Sequence, residues 1–254
     1  MEKSRKLIPK PKRPGLSKFA VTVISRLLEI IEKVPAITSK IYIVNDLLRY
    51  KNWCRSTFGT RYLVRNRQDV WDEIAKLVFR KNQRIFAIEL GVAWGYLTWW
   101  WFSRYSKLIY RWDGFDRFTG LPREWRGLAP GTFDAQGKTP ILSDERIFWH
   151  VGDIEDTINQ VDALIVIESG TTRLILFDLD IYEPSLVAWN QLKSKLRSGD
   201  ILYFDEAFDA DERRLLEENV LPSGEFRLIA SSWTSLAIEV IEMASGKSNL
   251  KELS

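Results

Sequence analysis

The sequence predicts an α/β fold: a mostly parallel sheet with helices on both faces, an antiparallel strand pair near the C-terminus and a helical N-terminal extension. Three observations predict it. Beyond residue 83, short apolar runs alternate with helix-period patterns, as expected of strands joined by helical crossovers. The last two apolar runs are separated only by residues 231–234, too short for a crossover, so they must pair antiparallel. Before residue 84, the apolar residues recur at helical spacing. A chain of 254 residues with 45% hydrophobic content suits one such domain with added helices.

The elements follow in order. Residues 1–17 set Pro9, Pro11, Pro14 and Gly15 among charges, a composition that buries too little apolar surface to offset its ordering entropy, and they read as a disordered basic arm. Residues 18–83 read as the helical extension. Val21, Ile24, Leu27, Leu28 and Ile31 mark one stripe, and Val70, Ile74, Leu77 and Val78 mark another. Residues 84–243 form the core, with strands expected at 84–90, 107–112, 147–151, 174–177 and 200–204 and helices at 96–105, 154–168, 184–196 and 211–218. The antiparallel pair falls at 226–230 and 235–241, and residues 244–254 form a tail.

Charge places limits on partners. Of 37 basic residues, six lie in the first fourteen positions, opposed there only by Glu2; without that stretch, 31 basic residues face 33 acidic ones. The basicity belongs to the arm and the body is slightly acidic, so charge alone gives no strong support for a nucleic-acid partner. The run 19–31 is broken by Arg26 and Glu29, too short and too charged for a membrane span and a poor secretion signal. Cys54 is the only cysteine and forms no internal disulfide, so a reducing cytoplasm is expected.

The first core strand ends in Glu89-Leu90-Gly91-Val92-Ala93-Trp94-Gly95 and runs straight into a helix. Glycines there let the backbone turn sharply and bring a ligand against the helix start. The G-x-G-x-x-G spacing of a pyrophosphate cradle is missing. Glu89 instead suits a cofactor with a cationic amino-acid end and no phosphate. Asp116 follows the second strand, where a carboxylate accepts from both ribose hydroxyls; Asp113 competes for that role. Asp153 follows the third strand, within reach of an adenine. The cofactor site expected is therefore Glu89, Gly91, Gly95, Asp116 and Asp153.

The fourth strand leads into Asp178-Leu179-Asp180-Ile181-Tyr182-Glu183 and the fifth into Asp205-Glu206. Adjacent parallel strands lie about 5 Å apart, so these acids converge. Four carboxylates together repel unless they are protonated or bound to a cation. All-oxygen donors favour Mg²⁺ or a similar divalent ion. Asp180, Asp205 and Glu206 are the expected ligands. Asp178 lies on the same side as Asp180 if the strand stays extended, and it either supports the site or takes a proton. A metal-activated hydroxyl held in line with a sulfonium methyl, with a carboxylate as base, is an O-methyl transfer site.

These segments, with Gly114-Phe115-Asp116-Arg117-Phe118-Thr119-Gly120-Leu121-Pro122 and Gly152-Asp153-Ile154-Glu155-Asp156-Thr157, resemble the macrocin, mycinamicin and novobiocin type of sugar O-methyltransferase. The resemblance implies a Rossmann-like class I methyltransferase, S-adenosylmethionine bound by Glu89, Gly91, Asp116 and Asp153, and a metal on Asp180, Asp205 and Glu206. It also makes Asp180 the base, residues 123–142 a lid over the acceptor, and a homodimer plausible. Two positions depart from the family pattern: Leu179 stands where Gly is frequent between the paired aspartates, and Glu206 where a second Asp is frequent.

The acceptor implied is a small molecule, a sugar or another secondary metabolite. Catechol-type methylation would need a flat aromatic pocket. RNA modification through the basic arm conflicts with a crowd of acids at the acceptor, which would repel phosphates. A cofactor-binding relic without catalysis is the fourth reading. His150, the sole histidine, reads as structural, and Trp99, Trp100 and Trp101 point in different directions on one helix, so they read as core and contact residues rather than one stacking platform.

Overall fold

The computed structural model describes residues 35–59, 63–161 and 170–244. The expected basic arm, the helix at 18–33, the rear of the helix at 154–168 and the tail beyond Ala244 lie outside them. The chain divides into two units, Met1–Asn45 and Asp46–Ser254, and the first described helix is α1 (Pro35–Phe58). The second unit continues through α2 (Arg67–Arg80), β1 (Arg84–Leu90), α3 (Tyr96–Tyr105), β2 (Ile109–Asp116), β3 (Ile147–Val151), α4 (Ile154–Thr157) and β4 (Thr171–Phe177). It closes with α5 (Tyr182–Leu192), β5 (Ile201–Phe204), α6 (Ala210–Leu215), β6 (Gly224–Ser231) and β7 (Leu236–Met243).

The seven strands stand in the order β3-β2-β1-β4-β5-β7-β6. All pairings among β1 to β5 are parallel, and β7 runs antiparallel to both β5 and β6. The chain therefore winds outward from β1 to β3, returns, and restarts at β4 on the other side of β1. That reversal leaves a crevice beyond the carboxyl ends of β1 and β4, the place where open α/β sheets bind ligands.

Side-chain alternation along each strand builds two cores. Phe86, Ile88 and Leu90 of β1 join Ile175, Phe177, Leu202 and Phe204 against Trp189 and Leu215 of α5 and α6. Ile85 and Ala87 join Leu174, Leu176, Ile201 and Tyr203 against Trp71 and Ile74 of α2 and Trp101 of α3. Helix α2 forms where the sequence places it because Asn66 caps it, accepting from the Asp69 amide at 2.9 Å, and because Val70, Trp71, Ile74 and Val78 make one buried stripe. One fully buried ion pair ties β4 to the start of β5: Arg173 Nε donates to Asp200 at 3.0 Å.

Some boundaries differ from expectation for identifiable reasons. The second strand begins later and runs through Asp113-Gly114 to Asp116, because β1 and β3 hydrogen-bond it on both sides and override the weak strand propensity of those two residues. Within the described residues the helix expected at 154–168 appears as the four-residue α4, a tight turn at Ile158–Gln160 and a helical Val161. The Thr157 hydroxyl bonds back to the Asp153 carbonyl, which already accepts from the Thr157 amide. Helix α5 starts at Tyr182 rather than Pro184 and tightens into a turn at Lys193–Lys195.

Candidate active site

A cavity of about 640 Å³ opens at the carboxyl ends of β1 and β4. The turn after β1 forms its floor. Gly91 has φ +90°, and a Cβ there would lie 1.9 Å from the Asp178 carbonyl oxygen, so only glycine lets the loop pass this close to the end of β4. Gly91 thus joins the two halves of the site. Gly95 also has positive φ, but its Cα faces Pro140, and it is not part of the cavity wall.

Glu89 is completely buried beneath this loop. Its Oε2 accepts from Trp112 Nε1 at 2.6 Å and from the Thr98 hydroxyl, whereas Oε1 is buried without a partner. Burial pushes the carboxyl up to about 8, with Thr98 and Trp112 pulling against that rise. A buried acceptor with an unused oxygen in a cavity wall is a site for a donor, and a cationic one would restore the ionised form.

Asp116 lines the cavity and holds the loop open. Its Oδ2 accepts from the amides of Val92 at 2.7 Å and Ala93 at 2.8 Å, and Oδ1 accepts from the Phe118 amide. A carboxylate has about four lone-pair directions, so about one remains for a ligand hydroxyl. The rival Asp113 is fully buried and bound to Arg111 Nε and to His150 Nε2 at 2.8 Å, and it is absent from the cavity wall. Asp153 also lines the cavity, with Arg117 3.4 Å away. His150, between Asp113 and Gln160 and stacked on Phe115 at 4.2 Å, is a structural group at the sheet's edge.

The carboxylates that follow β4 and β5 gather in the same cavity, with Arg67 and Arg126 set among them. Strand β4 ends at Phe177, and Asp180 adopts φ +62°, so the expectation that Asp178 and Asp180 share one side of an extended strand is corrected: the chain turns between them. Asp178 lies beside Asp205, whose Oδ2 accepts from Arg67 Nη1 at 2.6 Å and whose Oδ1 takes the Tyr203 hydroxyl. Asp180 lies with Glu206 and Asp209 around Arg126, which is 3.3 Å from Glu206 and 3.4 Å from Asp209.

Burial and mutual repulsion raise Asp178, Asp180 and Glu206. Desolvation first, then Glu206 and Asp205, push Asp180 to about 8; desolvation and Asp205 push Glu206 to about 7. Asp178 is raised well above the carboxylate range by burial, Asp205 and Asp180. The donor chemistry fits a hard divalent cation, but the arrangement does not form a ready cage. Among the described residues no three His, Cys, Asp or Glu groups surround one point, and Arg67 and Arg126 supply the counter-charge.

Three participants have no motif in the sequence. Arg67 starts α2, and its ion pair spans 138 positions of chain. Arg126 comes from the segment expected as a lid, where Arg123 also reaches Glu183 and Asp211. Glu212 of α6, buried to 1% exposure, accepts from the Glu206 amide at 3.0 Å and keeps Oε1 unpaired, with burial and Asp205 raising it strongly. Only tertiary proximity reveals these; charge at 67 and 126 is otherwise unremarked surface.

The strand order, with β7 antiparallel between β5 and β6, departs from the 3-2-1-4-5-6 of dinucleotide-binding folds and defines a Rossmann-like class I methyltransferase fold. No protein-family model and no curated protein matches the chain. Among solved structures it is similar to CalS11, a calicheamicin methyltransferase, at 19% identity over 93% of this chain and 99% of that one, with a TM-score of 0.46. It is similar to the O-methyltransferase NovP at 14% identity over 68% and 78%, TM-score 0.48. An rRNA methylase from Streptococcus thermophilus matches at 13% identity over 68% and 93%, TM-score 0.40. Likeness this distant says nothing about individual site residues. No helix among the described residues is long and apolar enough to cross a membrane.

Proposed function

We propose that the chain is an S-adenosylmethionine-dependent O-methyltransferase acting on a hydroxyl of a small molecule, a sugar or other secondary metabolite, in the cytoplasm. The observation that carries this reading is the unpartnered, buried Oε1 of Glu89 in the wall of a cavity that ends in paired carboxylates. Glu89 receives the cofactor's ammonium, Gly91 and Gly95 shape the loop around its amino-acid end, Asp116 accepts from a ribose hydroxyl and Asp153 flanks the adenine. The acceptor oxygen attacks the methyl carbon as the carbon–sulfur bond breaks, and Asp180 takes the acceptor's proton, with Asp178 behind it. Leu121, Trp125 and Phe133 line the cavity, and the segment 123–142 acts as the lid that excludes water.

A divalent ion belongs to the proposal as its finer part. Asp180, Asp205 and Glu206 would hold it, and when bound it would lower the pKa of the acceptor hydroxyl. Arg67 and Arg126 would have to leave Asp205 and Glu206 to admit it.

Calorimetry with S-adenosylmethionine and S-adenosylhomocysteine, with Mg²⁺ or with EDTA, followed by methyl transfer to a panel of nucleotide sugars, glycosides and catechols, tests this reading. Micromolar cofactor binding and turnover of a sugar-bearing acceptor are expected. Asp180→Asn should lower turnover by about two to four orders of magnitude while leaving cofactor affinity nearly intact; equal turnover would remove Asp180 as base. No cofactor binding at all would end the proposal, and full turnover in EDTA would end its metal part.

A further inference from the structure

The chain buries Trp71, Trp101, Trp112 and Trp189 almost entirely, yet Trp94 is 63% exposed in the wall of the cavity. Leaving such a ring in water forgoes the burial free energy that most of its counterparts obtain. Nor is its position incidental to the loop. Ala93, immediately before it, is held at φ +48° by the Asp116 carboxylate on its amide, a conformation that is strained for a residue with a side chain.

Across the mouth, Phe133 from the covering segment has φ +69°, rarer still for a bulky residue. The two rings meet edge to face, centroids 6.0 Å apart and planes at 77°. Two unfavourable backbone conformations, from segments far apart in sequence, therefore set one aromatic corner at the opening. The face of Trp94 carries no other ring partner among the described residues, and the carboxylates lie in the same cavity. Such a corner takes a flat apolar ring by stacking on one member and edge contact with the other.

We propose that Trp94 and Phe133 form a subsite for a planar aromatic group carried by the acceptor, so that the substrate is an aryl-substituted glycoside or similarly aromatic hydroxyl compound. This rests on the methyltransferase reading for its chemistry, but not for its measurement. The aromatic group sits at the mouth and the reacting hydroxyl reaches inward to the acids.

The test compares 4-nitrophenyl glycosides with the matching methyl glycosides by calorimetry, with and without S-adenosylhomocysteine. The proteins are the natural chain, Trp94→Ala, Trp94→Phe and Phe133→Asn, the last because Asn tolerates positive φ while removing the ring. The natural chain should bind the aryl member about tenfold more tightly. That preference should vanish in Trp94→Ala, shrink in Phe133→Asn and survive in Trp94→Phe. Equal binding of the two glycosides, no binding of either, or a preference that survives Trp94→Ala would overturn the subsite. So would a dimer of the natural chain that Trp94→Ala dissolves, since a second copy would then cover the corner. Failure of S-adenosylhomocysteine to bind would strike the methyltransferase reading alone, because the aryl preference is read without it.

Discussion

Glu89 shows how much one buried carboxyl affects the molecule. Its folded pKa of about 8 exceeds that of the unfolded chain, so between about pH 4.5 and 8 the folded state holds a proton that the unfolded state has released. The sign follows: the group favours folding at the acid end of that window, and the benefit disappears as pH rises through 8. Glu89→Gln should therefore raise the urea midpoint at pH 8.5 more than at pH 5.5, and should weaken cofactor binding at least tenfold if its ammonium partner is real. A variant with the natural pH profile would show that Glu89 is not the group responsible. At Gly91 the constraint is steric. Because a Cβ would lie 1.9 Å from the Asp178 carbonyl, Gly91→Ala should cost roughly 2–5 kcal/mol in denaturant unfolding or shift the end of β4. Both residues were legible in the sequence as a motif. The paired Trp112 and Thr98 that tune Glu89 were not, because they arrive from β2 and α3 by folding.

Among the elements, the covering segment and the strand ends matter most. Arg126 is the clasp between residues 120–133 and the acids after β5, with Arg123 as a second hold on Glu183. Arg126→Ala should speed amide hydrogen exchange across residues 123–138 and raise the pKa of Glu206, since it removes the cation that now lowers it. Unchanged exchange would mean that the local apolar cluster of Leu121, Trp125 and Ile181 holds the segment unaided. The buried Arg173–Asp200 pair belongs to the same scale. Asp200→Ala leaves a guanidinium unpaired inside the sheet and should cost about 3–5 kcal/mol of unfolding free energy. The periodicity that predicts β4 and β5 gave no hint of this pair, because Arg173 in an apolar run reads as exposed unless its partner strand is known.

For the whole molecule, the raised acids act together. Glu89, Asp180, Glu206 and Glu212 all bind protons more tightly in the folded state than in the unfolded one. Stability should therefore increase as pH falls from 8.5 to about 6, on the order of a few kcal/mol in sum. Below about pH 4.5 the opposite group takes over: Asp69, Asp144 and Glu239, whose partners depress them, lose their stabilisation as they protonate. A urea midpoint that rises from pH 8.5 to 6, and falls again below 4, is the expected profile. A profile flat across the upper window would mean that the cluster is neutralised by its arginines alone.

The alternation of short apolar runs with helical stripes, and the four residues between the last two runs, determined the parallel sheet, its antiparallel end and the placing of Glu89, Asp116, Asp180 and Asp205 at or just beyond the carboxyl ends of β1, β2, β4 and β5. Those are local properties, because periodicity and loop length constrain the chain before any distant contact forms. Which of Asp116 and Asp113 lines the cavity, the placing of Arg67 and Arg126 among the acids, the turn at Asp180 and the corner of Trp94 and Phe133 were decided only in the tertiary structure. Each depends on groups far apart in sequence competing for one space, and no local pattern records which of them prevails.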